Sequence, residues 1–496
     1  MYALLRGLAA NPALPSRLLD RLVALADDEL AGVLAGRDDL GRTRALTLAR
    51  RVGEAAVPLV HEGWLAAADV DPTEWPEAAL ALLERGTAPE AWTRAFAGDP
   101  DPARRERLAA CPGLAADVME RLARDPDPEV VAELASWAPA GTAVRLAAHP
   151  HLSVRRAVAG NETTPPAVLA SLLAGEGLPP ACRCRVCAVE GTAPAPVLLP
   201  GERCGGDHAS AVGHLREAVL RHPATPAQVA ARFAHDPAPM LRWAVAGRAD
   251  LPREACVRLA ADPLPLVRAA LAENPALDDD LVRSLAADPD PEMRRAVARH
   301  PRVPLDVLVP LARSTALGGS LLPRIATASA DETEALATSG EPAARRLVAL
   351  RRDLPAPVRE RLADDPDAKV AAAVAPHPGL CAARLRAMFV RHGRRVATGV
   401  AANPDAPGPL VEELARHEPP VRRALREIAR HPAATPRALL ACLADARARP
   451  LAARHPALPP TALAALLADE DEDVREAAAA NPTLPPAEMA KLLPDP

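Results

Sequence analysis

The chain has 496 residues, a formal net charge of -5 and a sequence pI near 6.3. It is too long for one compact core, and too near neutrality for a global field that would draw in nucleic acid or anionic lipid. Aromatic residues make up 2% of the chain, too few for the stacking platforms that single-stranded nucleic acid needs.

All 59 basic residues are arginines except Lys369 and Lys491, and 56 residues are proline. That composition reads as a GC-rich bacterial gene, so abundant arginine is not by itself a sign of nucleic-acid binding. The opening stretch "MYALLRGLAANPALP" breaks at Asn-Pro before a secretory core could form, and no run reaches the ~20 apolar residues of a membrane span. A cytoplasmic protein with no membrane partner is expected. No glycine-rich phosphate loop, H-E-x-x-H or G-x-S-x-G is present, and the expectation is a protein that is not an enzyme.

Self-comparison reveals a repeat along nearly the whole chain. Each unit closes on an anchor, usually Asn or His before Pro. In chain order the anchors are Asn11, Arg37, His61, Arg85, Cys111, Trp137, Asn161, a point near Glu190, His222, Arg248, Asn274, His300, a point near Ile325, Arg351, His377, Asn403, His431, His455 and Asn481. That gives about nineteen units of roughly 26 residues.

Residues 1–160 hold degenerate units carrying Trp64, Trp75, Trp92 and Trp137; only Trp243 lies beyond them. Tryptophan favours interface hot spots, which makes the first four candidate partner-binding residues, with filling of an irregular core as the structural alternative. Residues 161–221 break register by an insertion and contain "ACRCRVCAVEGTAPAPVLLPGERCGGDH". Cys182, Cys184, Cys187 and Cys204, with His208 close behind, could supply four thiolates for Zn²⁺ or an iron–sulfur cluster, or could be ordinary cysteines of an irregular unit. The scattered Cys111, Cys256, Cys381 and Cys442 read as small buried apolar residues. Residues 222–496 carry the most regular units, and one continuous superhelix is expected.

In the unit around 285–304, "LAADPDPEMRRAVARHPRVP", prolines fence short helices. Proline suits the first turn, where its missing N–H had no partner. Asp290 is placed to cap the second helix, and Pro301 stops it at His300. Two-turn helices are unstable alone, so Leu, Val and Ala faces must be buried against neighbouring units.

The recurring L-A-x-D-P-D-x-x-V-R-x-A-V-A-x-[NH]-P pattern, clearest at 285–301 and 466–482, resembles that of the leucine-rich repeat variant proteins, bacterial α-solenoids. The resemblance covers essentially the whole chain and implies an all-α, right-handed solenoid of paired helices, with the second helix 3-10 in places. Some members of that family carry an iron–sulfur module as a separate cysteine-rich domain, whereas the cysteines here lie inside the array.

The chain is also similar to HEAT repeats in spacing an Asp six residues before an Arg, as at Asp99/Arg105, Asp236/Arg242, Asp262/Arg268, Asp288/Arg294 and Asp469/Arg475. The pattern departs at Asp125/Val131 and Asp365/Ala371, and His149 stands in for the acid before Arg155. Local weakening is expected there.

The arginine column could be a phosphate-binding stripe, but an equal column of aspartates cancels the field, so the pair reads as a structural ladder and nucleic acid is not the expected partner. The His/Asn column shares a short side chain with both donor and acceptor, which suits bridging between units better than metal binding. The "KLLPDP" segment lacks a polar outer face and suggests that it is covered, by a partner or another copy. The expectation is therefore a scaffold binding another macromolecule, a protein above all, along a concave face or at the Trp-bearing end. The alternatives are a metal-dependent redox-sensing or structural protein and a HEAT-like nucleic-acid binder.

Overall fold

The structure is a computed structural model and describes residues 2–175, 177, 178 and 208–494. Among them every regular element is helical, and most helices are six to eleven residues long. They alternate as the repeat predicts. A first helix such as Asp279–Ala286 leads through a D-P-D-P turn into a second, Pro291–Arg299, which ends where His300 turns extended before Pro301.

Capping follows the local chemistry. The Asp290 carboxylate accepts a hydrogen bond from the Glu292 amide at 2.8 Å, and Asp101, Asp127, Asp367 and Asp471 do the same in their own units. Second helices stack on second helices: Pro239–Ala246 on Pro265–Ala272, and that on Pro291–Arg299. Alanines at the contact, among them Ala246 and Ala298, are fully buried and let the backbones approach closely.

The structure is thus an α-solenoid of helix pairs. The expected 3-10 geometry is confined to short pieces: Gly53–Ala55 opens a second helix, whereas Ala67–Asp69 and Arg232–His235 belong to first elements. No helix of the described residues is long and apolar enough to cross a membrane.

The chain forms two compact units. One comprises Ala66–Ala316. The other joins Leu317–Pro496 with Met1–Leu65, so the first and last repeats belong to the same body. In it the helix Tyr2–Ala9 lies against Glu472–Ala479, and an Arg21 Nη2 donates to the Pro494 carbonyl at 2.5 Å. The last described residues are thus met by the chain's own first repeats.

Candidate functional site

Two polar ladders run through the repeats. The first is the anchor column, which is buried: Asn11, His300, Asn403 and Asn481 are fully inaccessible. Asn274 donates through Nδ2 to the carbonyls of Ala246 (3.2 Å) and Arg248 (2.5 Å) in the preceding unit, and its Oδ1 accepts from the Ala276 amide.

Histidine reproduces this pattern. His300 Nδ1 accepts from the Arg302 amide at 3.2 Å, so Nε2 carries the proton and donates to the Asn274 carbonyl at 2.9 Å. His222, His431 and His455 do likewise. Burial lowers the His300 and His455 pKa values, opposed by the backbone hydrogen bonds to the Asn274 and His431 carbonyls.

At three of the arginine anchors the arginine brings its own acceptor. Arg248 Nη1 donates to the carbonyls of Leu220 and His222, while its Nε and Nη2 grip Asp250 two residues on. Arg37/Asp39 and Arg351/Asp353 repeat the arrangement. Hydrogen bonds from the arginines hold the Asp39 and Asp353 carboxyls below their usual range.

The second ladder is the Asp/Arg column. Arg242 donates through Nη1 to the Asp236 carbonyl of its own turn, but its charge meets Asp262 of the following unit through Nε at 2.6 Å and Nη2 at 3.2 Å. Arg268–Asp288, Arg105–Asp125 and Arg345–Asp365 repeat this step of twenty residues, and Arg294 meets Thr315 Oγ1 where an acid would stand. Burial pushes the Asp262 carboxyl up, but hydrogen bonds from Arg242 and the Leu264 amide, with the charges of Arg242 and Arg268, carry it below its ordinary value. Val131 and His149 depart from the pattern in the same step, one without a cation and the other without an anion. His149 still acts as the turn acceptor for the His151 amide at 3.1 Å, and burial lowers its pKa to about 4.

The four early tryptophans are all half-buried. Trp64 and Trp137 are drawn into the anchor ladder, donating Nε1 to the carbonyls of Ala35 (3.1 Å) and Ala109 (2.7 Å). Of the scattered cysteines, Cys111, Cys256 and Cys442 are buried as expected, and burial pushes the Cys111 and Cys442 thiols up to about 12. Cys381 departs from that expectation. It is exposed, because it sits in the turn before Ala382–His392 rather than on a packed face. Cys182, Cys184, Cys187 and Cys204 lie outside the described residues, as does the side chain of His208. Among the described residues no group of His, Cys, Asp or Glu is arranged to hold a metal ion.

Against this self-satisfied background one surface of the Ala66–Ala316 unit differs. A recess of about 760 Å³ opens between the second helices His208–Arg221, Pro239–Ala246 and Pro265–Ala272, and a neighbouring one of about 450 Å³ shares Arg221 and Pro223 with it. The Arg221 guanidinium lies 4.4 Å from the centre of the Trp243 ring and also pairs with Glu217 at 2.8 Å. Leu266, 61% exposed, stands on the rim.

The signal for this site lies in the turns. Where the turns at 125–129 and 288–292 read D-P-D-P-E, these read D-P-A-P-M (236–240) and D-P-L-P-L (262–266). Leu264 takes the capping place of Asp290 and offers no side-chain bond. Met240 and Leu266, both exposed, take the place of the half-buried Glu129 and the exposed Glu292. The sequence reading noted Trp243 only as an outlier and missed these replacements.

No family profile matches the chain, and no curated protein matches it. Among solved structures the chain is similar to one described as a leucine-rich repeat variant with a novel repetitive protein structural motif, at 23% identity and a TM-score of 0.32, covering 50% of this chain and 85% of that one. It is also similar to the crystal structure of an engineered protein, at 16% identity and a TM-score of 0.13 over 98% of this chain and 94% of that one. The repeat architecture stands on the chain's own helix pairing and hydrogen-bond ladders.

Proposed function

We propose that the protein is a non-enzymatic scaffold that binds a segment of another protein in the groove of Arg221, Trp243 and Leu266. The observation that carries this reading is the replacement, in two consecutive units, of capping and neighbouring acids by Leu264, Met240 and Leu266 beside a half-buried tryptophan. Losing a helix cap costs about 1 kcal/mol, and exposing apolar side chains at rims of a recess is a feature of binding surfaces. The fit is to a segment with an apolar anchor side chain seated on Trp243 and Leu266 and polar groups reaching Glu217, Asp250 or Glu273. The arginine ladder, tied to aspartates, does not favour a nucleic-acid partner.

Selection of a random peptide library on the immobilised full-length chain tests this. Enriched peptides should carry a large apolar residue and lose at least ten-fold in affinity on Leu266→Glu or Trp243→Ala, while Arg283→Glu, elsewhere on the same unit, leaves them unchanged. Peptides that bind the Leu266→Glu and Trp243→Ala chains as well as the unaltered one would place binding elsewhere.

A further inference from the structure

The contact between the first and last repeats reproduces an interior step of the solenoid. Asn11 donates through Nδ2 to the carbonyls of Ala479 (2.9 Å) and Asn481 (2.7 Å), as Asn403 does to Ala375 and His377 one unit back. The Gly7 backbone leaves no room for a side chain: a Cβ there would meet the Glu476 carbonyl oxygen and the Ala479 Cβ. Gly399, at the equivalent place in its own helix, is pressed in the same way against Ala372 and Ala375. Arg6 pairs with Glu476 at 3.3 Å across the same contact.

The interior steps join units that follow one another along the chain. This step joins segments about 470 residues apart and is held by non-covalent contacts alone, so it can part without unfolding either face. Once parted, the chain exposes two different surfaces that fit each other. A heterologous pair of surfaces of that kind is satisfied equally well by a second copy.

We propose that the Gly7–Ala479 step is an exchangeable interface, closed within one chain at rest and able to seat the first repeats of a second copy on the last repeats of the first. The covalent chain holds the two faces together and makes the internal contact intramolecular, so the unaltered protein stays closed at ordinary concentrations.

Complementation tests the proposal. Gly7→Leu spoils the first face and leaves the last intact, and Ala479→Leu does the reverse. Each chain alone should run at its mass of 51.9 kDa, and an equimolar mixture, incubated and read by light scattering after gel filtration, should give a species of twice that mass. If circular dichroism shows that either leucine chain has lost helix, Arg6→Glu and Glu476→Arg replace them, since each alone sets like charges together and the mixture restores opposite ones. Folded variants that remain at single-chain mass when mixed, or that pair equally well alone, would overturn the proposal.

Discussion

The stretch Arg242–Thr315 and the stretch Ser339–Asp405 are built from the same repeat, yet they close their ladders differently. In the first, Arg248, Asn274 and His300 pass hydrogen bonds back unit by unit, and Arg242, Arg268 and Arg294 pass theirs forward without a gap. In the second, Arg345 reaches Asp365, but the next position in the column is Ala371, and the anchor His377 keeps its Nδ1 buried with no hydrogen-bond partner among the described residues. The Gly379 amide, which would serve that nitrogen, donates instead to Asp405 of the following unit at 2.6 Å, and Arg359 Nε is likewise buried without a partner. The repeat tolerates such a fault because each unit still packs on both sides: Val370, Ala371 and Val374 remain fully buried. Apolar stacking holds the array, and the ladders set its register.

The largest expected effect comes from cutting the intact ladder. Asn274→Leu strands the Ala246 and Arg248 carbonyls and the Ala276 amide, which should cost about 3 kcal/mol in chemical denaturation, whereas His377→Leu, which strands little, should cost about 1 kcal/mol or less. Equal losses at the two sites would remove the distinction between the stretches. Next in size, Arg242→Ala takes two charge-assisted hydrogen bonds from the Asp262 carboxylate, 4% exposed, and should cost about 2–3 kcal/mol. Adding Asp262→Ala should recover part of that loss, which a double-mutant cycle reads directly.

A further expected effect concerns pH. Burial, then the charges of Arg352 and Arg359, lower the His377 pKa from 6.5 to about 4. Below pH 6.5 the unfolded chain therefore takes up a proton that the folded chain refuses until about pH 4, and stability falls across that window. His377→Asn removes this titration and offers the donor and acceptor of the Asn column. Its denaturation midpoint should match or slightly exceed that of the unaltered chain at pH 7.5 and pull ahead by pH 4.5. A gap that fails to widen on acidification would show that His377 is not held neutral.

What the sequence disclosed depended on how local the physics was. Prolines at helix starts and capping aspartates act within a few residues, and the Asn/His column, though it bonds one unit back, recurs at a fixed place in the repeat, so each was legible. The direction of the Asp/Arg pairing was not. An arginine six residues after one aspartate is, in a 26-residue repeat, also twenty before the next, so periodicity alone cannot say which unit it serves, and the structure gives the charge to the following one. The R-x-D anchors at Arg37, Arg248 and Arg351 could have been read from composition, since an arginine without an acceptor of its own needs a neighbouring acid. The groove at Trp243 was hidden for a different reason: its signal is a departure from the repeat at Leu264 and Leu266, visible only once the regular turns define what should stand there. Packing of Tyr2–Ala9 on Glu472–Ala479 leaves no trace in local pattern at all.

The central claim is that two-turn helices persist only because each is held by the units on either side. Amide hydrogen exchange of the Asn274→Leu chain, resolved by peptide, tests it most directly. Protection should fall most in Pro265–Ala272 and Pro239–Ala246, less in Pro291–Arg299, and fade over the next units. Loss confined to the substituted helix alone, or spread evenly over all 496 residues, would contradict the claim.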